Sequence, residues 1–144
     1  MSRLKHYGLL LAGMILVLTV AGCGAAATPA GPGGGETFVT GVAAVDSVDL
    51  LMLESFPVQI RAVVRGNLPD GCTTIDQIAQ ARQGNAFKVT INTRRPADKM
   101  CTEALVPFEE SIALEVAGLP AGTYTVDVNG VTASFTLDVD NALP

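Results

Sequence analysis

Residues 124–137, Tyr-Thr-Val-Asp-Val-Asn-Gly-Val-Thr-Ala-Ser-Phe-Thr-Leu, give the clearest indication of the fold. Apolar and polar side chains alternate on both sides of the central Asn129-Gly130 pair, a pattern typical of two half-buried strands. Asn-Gly between such strands favours a type I′ turn, because both central residues must adopt positive φ. The stretch therefore predicts an antiparallel hairpin. Its inner face is expected to carry Tyr124, Val126 and Val128 opposite Val131, Ala133, Phe135 and Leu137.

The segments upstream show the same two-residue period. Residues 58–65 and 87–94 each alternate apolar with polar side chains, which predicts strands with one buried face. Gly84-Asn85 predicts a hairpin turn, with residues 75–82 as the partner strand. The partner segment also has apolar residues at helical spacing, so a helix is the alternative there.

An apolar stretch at residues 41–53 predicts one further strand. Its second half, 48–53, is apolar at both parities, and we expect it to be buried on two sides. Together these segments predict an all-β chain of about seven strands in a single domain at residues 37–138, a length that suits one hydrophobic core.

A second signal lies just before the hairpin, where residues 118–124 are Gly-Leu-Pro-Ala-Gly-Thr-Tyr. This segment resembles the tyrosine corner of immunoglobulin-like and fibronectin-like sandwiches, in which the phenol bonds back to upstream backbone. The resemblance implies an Ig-like antiparallel β-sandwich with Tyr124 as its structural corner. Because the chain has no Trp, the likeness concerns architecture and not the antibody family. Similar hairpins end uncharacterised secreted bacterial proteins, which implies no activity.

The first segment predicts export. Arg3 and Lys5 precede an apolar run at 9–20, whose length of about a dozen residues suits a signal peptide but falls short of the ~20 that span a membrane. The Val-Ala-Gly-Cys that follows at 20–23 resembles the lipobox of bacterial lipoproteins. That resemblance implies removal of residues 1–22 and attachment of diacylglycerol, and of a further acyl chain such as palmitate, at Cys23. An ordinary secretory signal and an uncleaved anchor are the alternatives.

The composition around the domain predicts flexible ends. Residues 25–35 are rich in Gly, Ala and Pro and contain no large apolar side chain, so we expect a linker over residues 23–36 that spans roughly 20 Å. Residues 139–144 follow Asp138 and are expected to form a frayed acidic tail. Asp138, Asp140 and Asn141 lack the internal Gly and distal Glu of an EF-hand, so no metal site is predicted there.

Two cysteines remain after Cys23 is assigned to the lipid anchor. In an exported domain, Cys72 and Cys101 predict one disulfide. A redox or metal pair is the alternative, but the chain offers neither a Cys-x-x-Cys spacing nor a histidine outside the signal peptide.

The composition argues against most enzymatic chemistry. The only histidine, His6, lies in the predicted signal peptide, which removes Ser-His and Cys-His nucleophile pairs and histidine-liganded zinc. Cleavage would remove two of the nine basic residues and none of the fourteen acids, so the net charge falls from −5 to about −7. Nucleic acid is not expected as a partner of so acidic a chain. We predict no catalytic residue, no metal and no cofactor.

One group of residues is a candidate for binding: Lys88, Arg94, Arg95 and Lys99, which we expect on one strand face and the loop after it. The alternative is an ordinary solvated face. The sequence thus predicts a non-enzymatic interaction module in the cell envelope, held to the membrane through Cys23, in the periplasm or on the cell surface. Its partner would be an envelope protein or surface component. The alternative function is inhibition of an envelope protease through the segment 94–100, where a disulfide-braced loop would lose little entropy on binding.

Overall fold

The computed structural model describes residues 35–143, which form eight strands and no helix. The predictions for the signal peptide, for Cys23 and for the linker up to residue 34 lie outside the described residues. Residues 35–143 include no helix that could cross a bilayer. The strands are β1 (Phe38–Val42), β2 (Ala44–Leu53), β3 (Gln59–Leu68), β4 (Thr74–Gln83), β5 (Ala86–Pro96), β6 (Val106–Leu114), β7 (Gly122–Val128) and β8 (Val131–Leu137).

These strands form two sheets, which confirms the predicted all-β sandwich. One sheet has the order β2-β3-β6, and the other contains β1, β4, β5, β7 and β8. In the larger sheet β4 pairs with nearly all of β5, so β1 and β7 share the other edge of β5. The β5–β7 pair is parallel, whereas every other pair among the described residues is antiparallel.

The core lies between the sheets and is built from alternate residues of their strands. Both predicted hairpin turns are present: φ is 49° at Asn129 and 96° at Gly130, and Gly84 also has positive φ. Segment 75–82 lies in β4, so the helical alternative is wrong. The core includes Ile60, Ala62, Val64, Phe87, Val89, Ile91, Ile112, Leu114, Tyr124, Val126, Val128, Phe135 and Leu137.

The segment predicted as one strand at 41–53 is divided at Ala43 between the two sheets. The buried Ala43 amide donates to the carbonyl of Ile91 at 3.0 Å, and the Ala43 carbonyl accepts from Asn129 Nδ2 at 2.9 Å. These bonds hold the chain at Ala43, between β1, which pairs with β5, and β2, which pairs with β3 in the other sheet. The division explains why the sandwich has eight strands where about seven were expected.

The prediction that residues 48–53 are buried on two sides is wrong. β2 pairs only with β3, at the edge of a three-stranded sheet whose single inner face meets the core. Leu51 is consequently 50% exposed and Met52 51% exposed. An apolar run at both parities indicated burial because sequence alone does not distinguish an edge strand from a central one.

The chain beyond β8 is also more ordered than expected. Asn141 is only 1% exposed. Its Oδ1 accepts from the amide of Val58 at 2.6 Å, and its Nδ2 donates to the carbonyls of Val58 and Val116, both at 2.9 Å. The prediction of a frayed tail is therefore wrong at Asn141. This residue ties the segment after β8 to the residue before β3 and to the segment after β6.

Candidate functional site

The disulfide between Cys72 and Cys101 is present and fixes the loop formed by residues 97–105, between β5 and β6. Beside it the amide of Gly71 donates to the carbonyl of Thr102 at 3.2 Å. The loop is thus anchored to the turn after β3 by a covalent bond and a hydrogen bond. At its tip the side chain of Met100 is fully exposed.

The predicted basic group does not form a single patch. Arg94 and Arg95 lie in β5 and not in a loop, and adjacent strand residues point to opposite faces. Arg94 Nε lies 3.4 Å from Asp76 Oδ1, and its guanidinium lies 5.2 Å from the centroid of the Phe38 ring. The expectation of a loop running from Arg94 to Met100 is therefore wrong for its first three residues, which belong to the strand.

The other two members of the group lie apart from these arginines. Lys99 Nζ is 3.8 Å from Glu36 Oε1, and both side chains are well exposed. Lys88 is exposed on the outer face of β5, with no acid within ion-pair distance in the described part of the chain. Three of the four predicted cations are thus each matched to a different carboxylate, and they do not converge on one ligand.

Asp70 is the residue that organises the disulfide end, although it was not among the residues predicted from sequence to form a site. Its Oδ1 accepts from the Cys72 amide at 2.9 Å, the Thr73 amide at 2.8 Å and the Thr73 hydroxyl at 2.9 Å. Partial burial of the carboxyl alone would raise its pKa, but these hydrogen bonds and the charge of Arg95 together lower the pKa of Asp70 below 3.8. The Asp-Gly at 70–71 was the available signal.

Arg95 meets Asp70 mainly through charge. Its Nε lies 3.0 Å from Asp70 Oδ2, yet this buried atom makes no well-directed hydrogen bond. Asp70, Cys72 and Cys101 bring three potential ligand atoms close together, but both sulfurs are committed to the disulfide and supply no thiolate.

Four exposed apolar side chains lie at the end of β2 and just beyond it. We call this region the β2 edge and define it as Leu51, Met52, Leu53 and Phe56, with Leu51 and Leu53 on the outer face of the sheet and Met52 on the opposite face. The edge strand β6 is protected differently, because it contains Pro107 and because Gln80 Nε2 donates to the carbonyl of Ala113 at 2.8 Å. The second half of β2 contains no proline and receives no side-chain hydrogen bond of this kind, although β2 lies close to β8 of the other sheet.

A cavity of about 600 Å³ opens where β4 approaches the end of β6, and we call it the β4–β6 cavity. Arg61 and Arg82 both line it. Arg61 Nε donates to Ser111 Oγ at 2.8 Å, Arg61 Nη2 donates to the Ser111 carbonyl at 3.1 Å, and Arg82 Nη1 donates to the Gly84 carbonyl at 2.9 Å. Sequence analysis missed this pair because each arginine resembled an ordinary polar position of an alternating strand.

Arg65, on the same face of β3 as Arg61, differs from it in having carboxylate partners. Its Nη1 lies 2.7 Å from Asp49 Oδ2 and its Nε lies 2.7 Å from Glu109 Oε2. These bonds cross from β2 to β6 over the middle strand, so Arg65 is fully matched by acids while Arg61, four residues earlier, is not.

Comparison with known proteins places this sandwich in a family. The ORF11 beta-sandwich domain family matches residues 62–137. An uncharacterized 10.2 kDa protein in the HgiCIIM 5′ region of Herpetosiphon aurantiacus is 37% identical over 93 residues, which cover 65% of this chain and 98% of that protein. Two similar proteins of this organism, in the HgiBIM and HgiEIM 5′ regions, are each 39% identical over 83 residues, covering 58% of this chain and 100% of each relative. No solved structure matches the chain. The chain belongs to the ORF11 beta-sandwich domain family.

Proposed function

We propose that this protein is an exported lipoprotein whose β-sandwich serves as a non-enzymatic interaction module at the membrane. The Val-Ala-Gly-Cys at 20–23 supports the anchor, and a disulfide suits a compartment outside the cytoplasm. The partner is an envelope protein or surface component that meets the domain off the bilayer.

The observation that carries the interaction role is the β2 edge. β2 is an edge strand that lies close to β8 of the other sheet, and the exposed apolar side chains at its end add buried area when a partner covers them. Leu51 and Met52 are half exposed, and Phe56 extends the apolar surface beyond the strand end. Water contact with these side chains is relieved when a partner covers them.

A second candidate function is inhibition of an envelope protease, and one observation favours it. Met100 is fully exposed on a loop held by the disulfide, with exposed Lys99 next to it. The segment available to a protease is the 97–105 loop, since Arg94 and Arg95 are held in β5.

The anchor is tested by labelling cells with palmitate and fractionating them. The wild-type protein is expected to take up label and sediment with membranes, whereas Cys23→Ser is expected to do neither. An unlabelled wild-type protein with a free Cys23 thiol in its mature form would contradict the lipoprotein proposal.

The interaction role is tested by photo-crosslinking from position 53, another exposed member of the β2 edge, in intact cells. Leu51→Lys is expected to abolish capture of the partner, because it places a charge in the apolar contact. Thr132→Lys, at an exposed position of β8, is the matched control and is expected to keep it. Capture that survives Leu51→Lys and is instead lost in a Lys99→Glu, Met100→Glu variant, with protease inhibition by the wild type, would favour the inhibitor candidate.

A further inference from the structure

We propose that the β4–β6 cavity binds a small amphipathic monoanion, a carboxylate carried on a short apolar group. This site lies beyond the interaction role proposed above. It depends neither on the lipid anchor nor on the β2 edge.

The charges of the described residues single out this cavity. Arg65, Arg94, Arg95 and Lys99 each have a carboxylate within 4.0 Å, whereas Arg61, Arg82 and Lys88 have none among residues 35–143. Two of the three unmatched cations line one cavity. In a chain with formal charge −5, two unmatched arginines at one place form a local positive site on an acidic protein.

Both guanidinium groups are held in place by neutral acceptors. Ser111 takes two bonds from Arg61, and the Gly84 carbonyl takes one from Arg82. A guanidinium has five N–H donors, so each group keeps donors free while its side chain is already oriented. A carboxylate entering the cavity would gain charge-assisted hydrogen bonds at a small cost in side-chain entropy.

The apolar residues of the lining favour an apolar body on the ligand. Among them are Leu114, at the end of β6, and Val116 and Leu119, which follow it. Asn141 fixes this part of the lining, because its amide donates to the Leu119 carbonyl at 2.7 Å and its Nδ2 donates to that of Val116. A volume of about 600 Å³ falls within the usual range of ligand pockets, roughly 300–1,000 Å³.

One acid limits the charge of the ligand. Glu115 is exposed and is the only carboxylate among the lining residues, so with Arg61 and Arg82 the cavity carries a net charge of about one positive unit. A single carboxylate matches that charge, whereas a dianionic phosphate would meet Glu115 without a third cation to offset it.

The proposal is tested by titrating the ¹⁵N-labelled protein, as isolated from cells, with hexanoate while following its backbone amide signals. We expect saturable shifts at amides around Arg61 and Ala113. Hexanamide, which lacks the charge, and acetate, which lacks the chain, are each expected to bind at least about tenfold more weakly. Equal shifts with hexanamide, or none at the highest soluble hexanoate concentration, would overturn the proposal.

Variants locate the binding. Arg61→Gln and Arg82→Gln are each expected to weaken hexanoate binding about tenfold, the loss of one charge-assisted contact. The matched control is Arg65→Gln on the same face of β3, which is expected to change it less than twofold. If Arg61→Gln fails to fold, Ala117→Asp adds a carboxylate to the lining and is expected to weaken binding similarly. Equal losses in Arg65→Gln would reveal a general surface effect and overturn the assignment.

Discussion

Two asparagine side chains, Asn129 and Asn141, complete backbone hydrogen bonding that the sheets leave open. Asn141 bonds the backbone of Val58 and Val116, and Asn129 bonds the backbone of Ala43 and Ile91. Buried backbone groups need such partners, since leaving them unpaired costs about 1–3 kcal/mol each. Each of these two side chains therefore joins two backbone segments that are distant in sequence.

Asn141→Ala is expected to lower the free energy of unfolding by about 3 kcal/mol, because it removes the partner of the Val58 amide and carbonyl and one of the two bonds to the Val116 carbonyl. Urea denaturation measures the loss. Asp138→Ala, at an exposed position three residues earlier, is the control and is expected to change stability by less than about 0.5 kcal/mol. A similar small change in both variants would show that Asn141 is dispensable.

Sequence predicts a side-chain bond to a nearby residue better than a bond to a residue far along the chain. Tyr124 was predictable because its partner is local: its hydroxyl donates to the Pro120 carbonyl at 2.8 Å, the bond that a tyrosine corner makes. Asn141 was not, because it bonds Val58, 83 positions away in sequence. Its short acidic neighbourhood favoured a frayed tail, and nothing nearby indicated a distant backbone partner.

At the element scale, the hairpins were predictable while the positions of the strands within the sheets were not. Turn residues such as Asn129-Gly130 act through local φ preferences, so the β7–β8 and β4–β5 hairpins follow from sequence. The crossing at Ala43 and the edge position of β2 depend on which distant strand offers a free edge. The apolar surface of β2 was consequently mistaken for core.

The crossing at Ala43 gives an element-scale prediction. Asn129→Gly keeps a residue that adopts positive φ readily, but removes the side-chain bonds to the Ala43 carbonyl and to the Ile91 amide and carbonyl. The Ile91 amide, which donates to Asn129 Oδ1 at 3.1 Å, is expected to exchange with solvent faster. Native-state hydrogen exchange measures this.

The control for Asn129→Gly lies in the same molecule. The amide of Val126, in the middle of β7 between two neighbouring strands, is expected to keep its protection. Faster exchange at both sites would mean that the variant weakens the whole sandwich and not the crossing between the sheets.

At the scale of the whole molecule, acid is expected to weaken the fold at the disulfide end. The folded-state pKa of Asp70 is lowered, so the stability it contributes is complete above the unfolded value near 3.8 and is lost as pH falls through the lower folded value. The difference in unfolding free energy between wild type and Asp70→Asn is therefore expected to be largest near neutral pH and to shrink below pH 3.8. Denaturation at a series of pH values measures it.

Asp98→Asn is the matched control, since it removes one negative charge from the neighbouring 97–105 loop. The effect of Asp70→Asn at neutral pH is expected to exceed that of the control, because only Asp70 accepts hydrogen bonds from the turn and pairs with the charge of Arg95. A difference that stays constant down to pH 2 would contradict the assigned role of the Asp70 charge.

The candidate sites were less predictable than the fold for a physical reason. A cation's availability depends on whether a carboxylate lies within reach, and that is decided by sheet register. Arg94 and Arg95 seemed free in sequence but are matched by Asp76 and Asp70, whereas Arg61 and Arg82 drew no attention and are the unmatched ones.

The Cys72–Cys101 bond has a consequence for how quickly the chain can assemble. Leu68 and Val106 pair across β3 and β6, about forty positions apart along the backbone but only about ten when the path runs through the disulfide. Once the disulfide has formed, the loop-closure entropy lost when β3 pairs with β6 is therefore close to that lost in a hairpin. Because nonlocal pairings slow the folding of β-proteins, oxidation lowers the effective contact order of this sandwich and favours rapid folding after export.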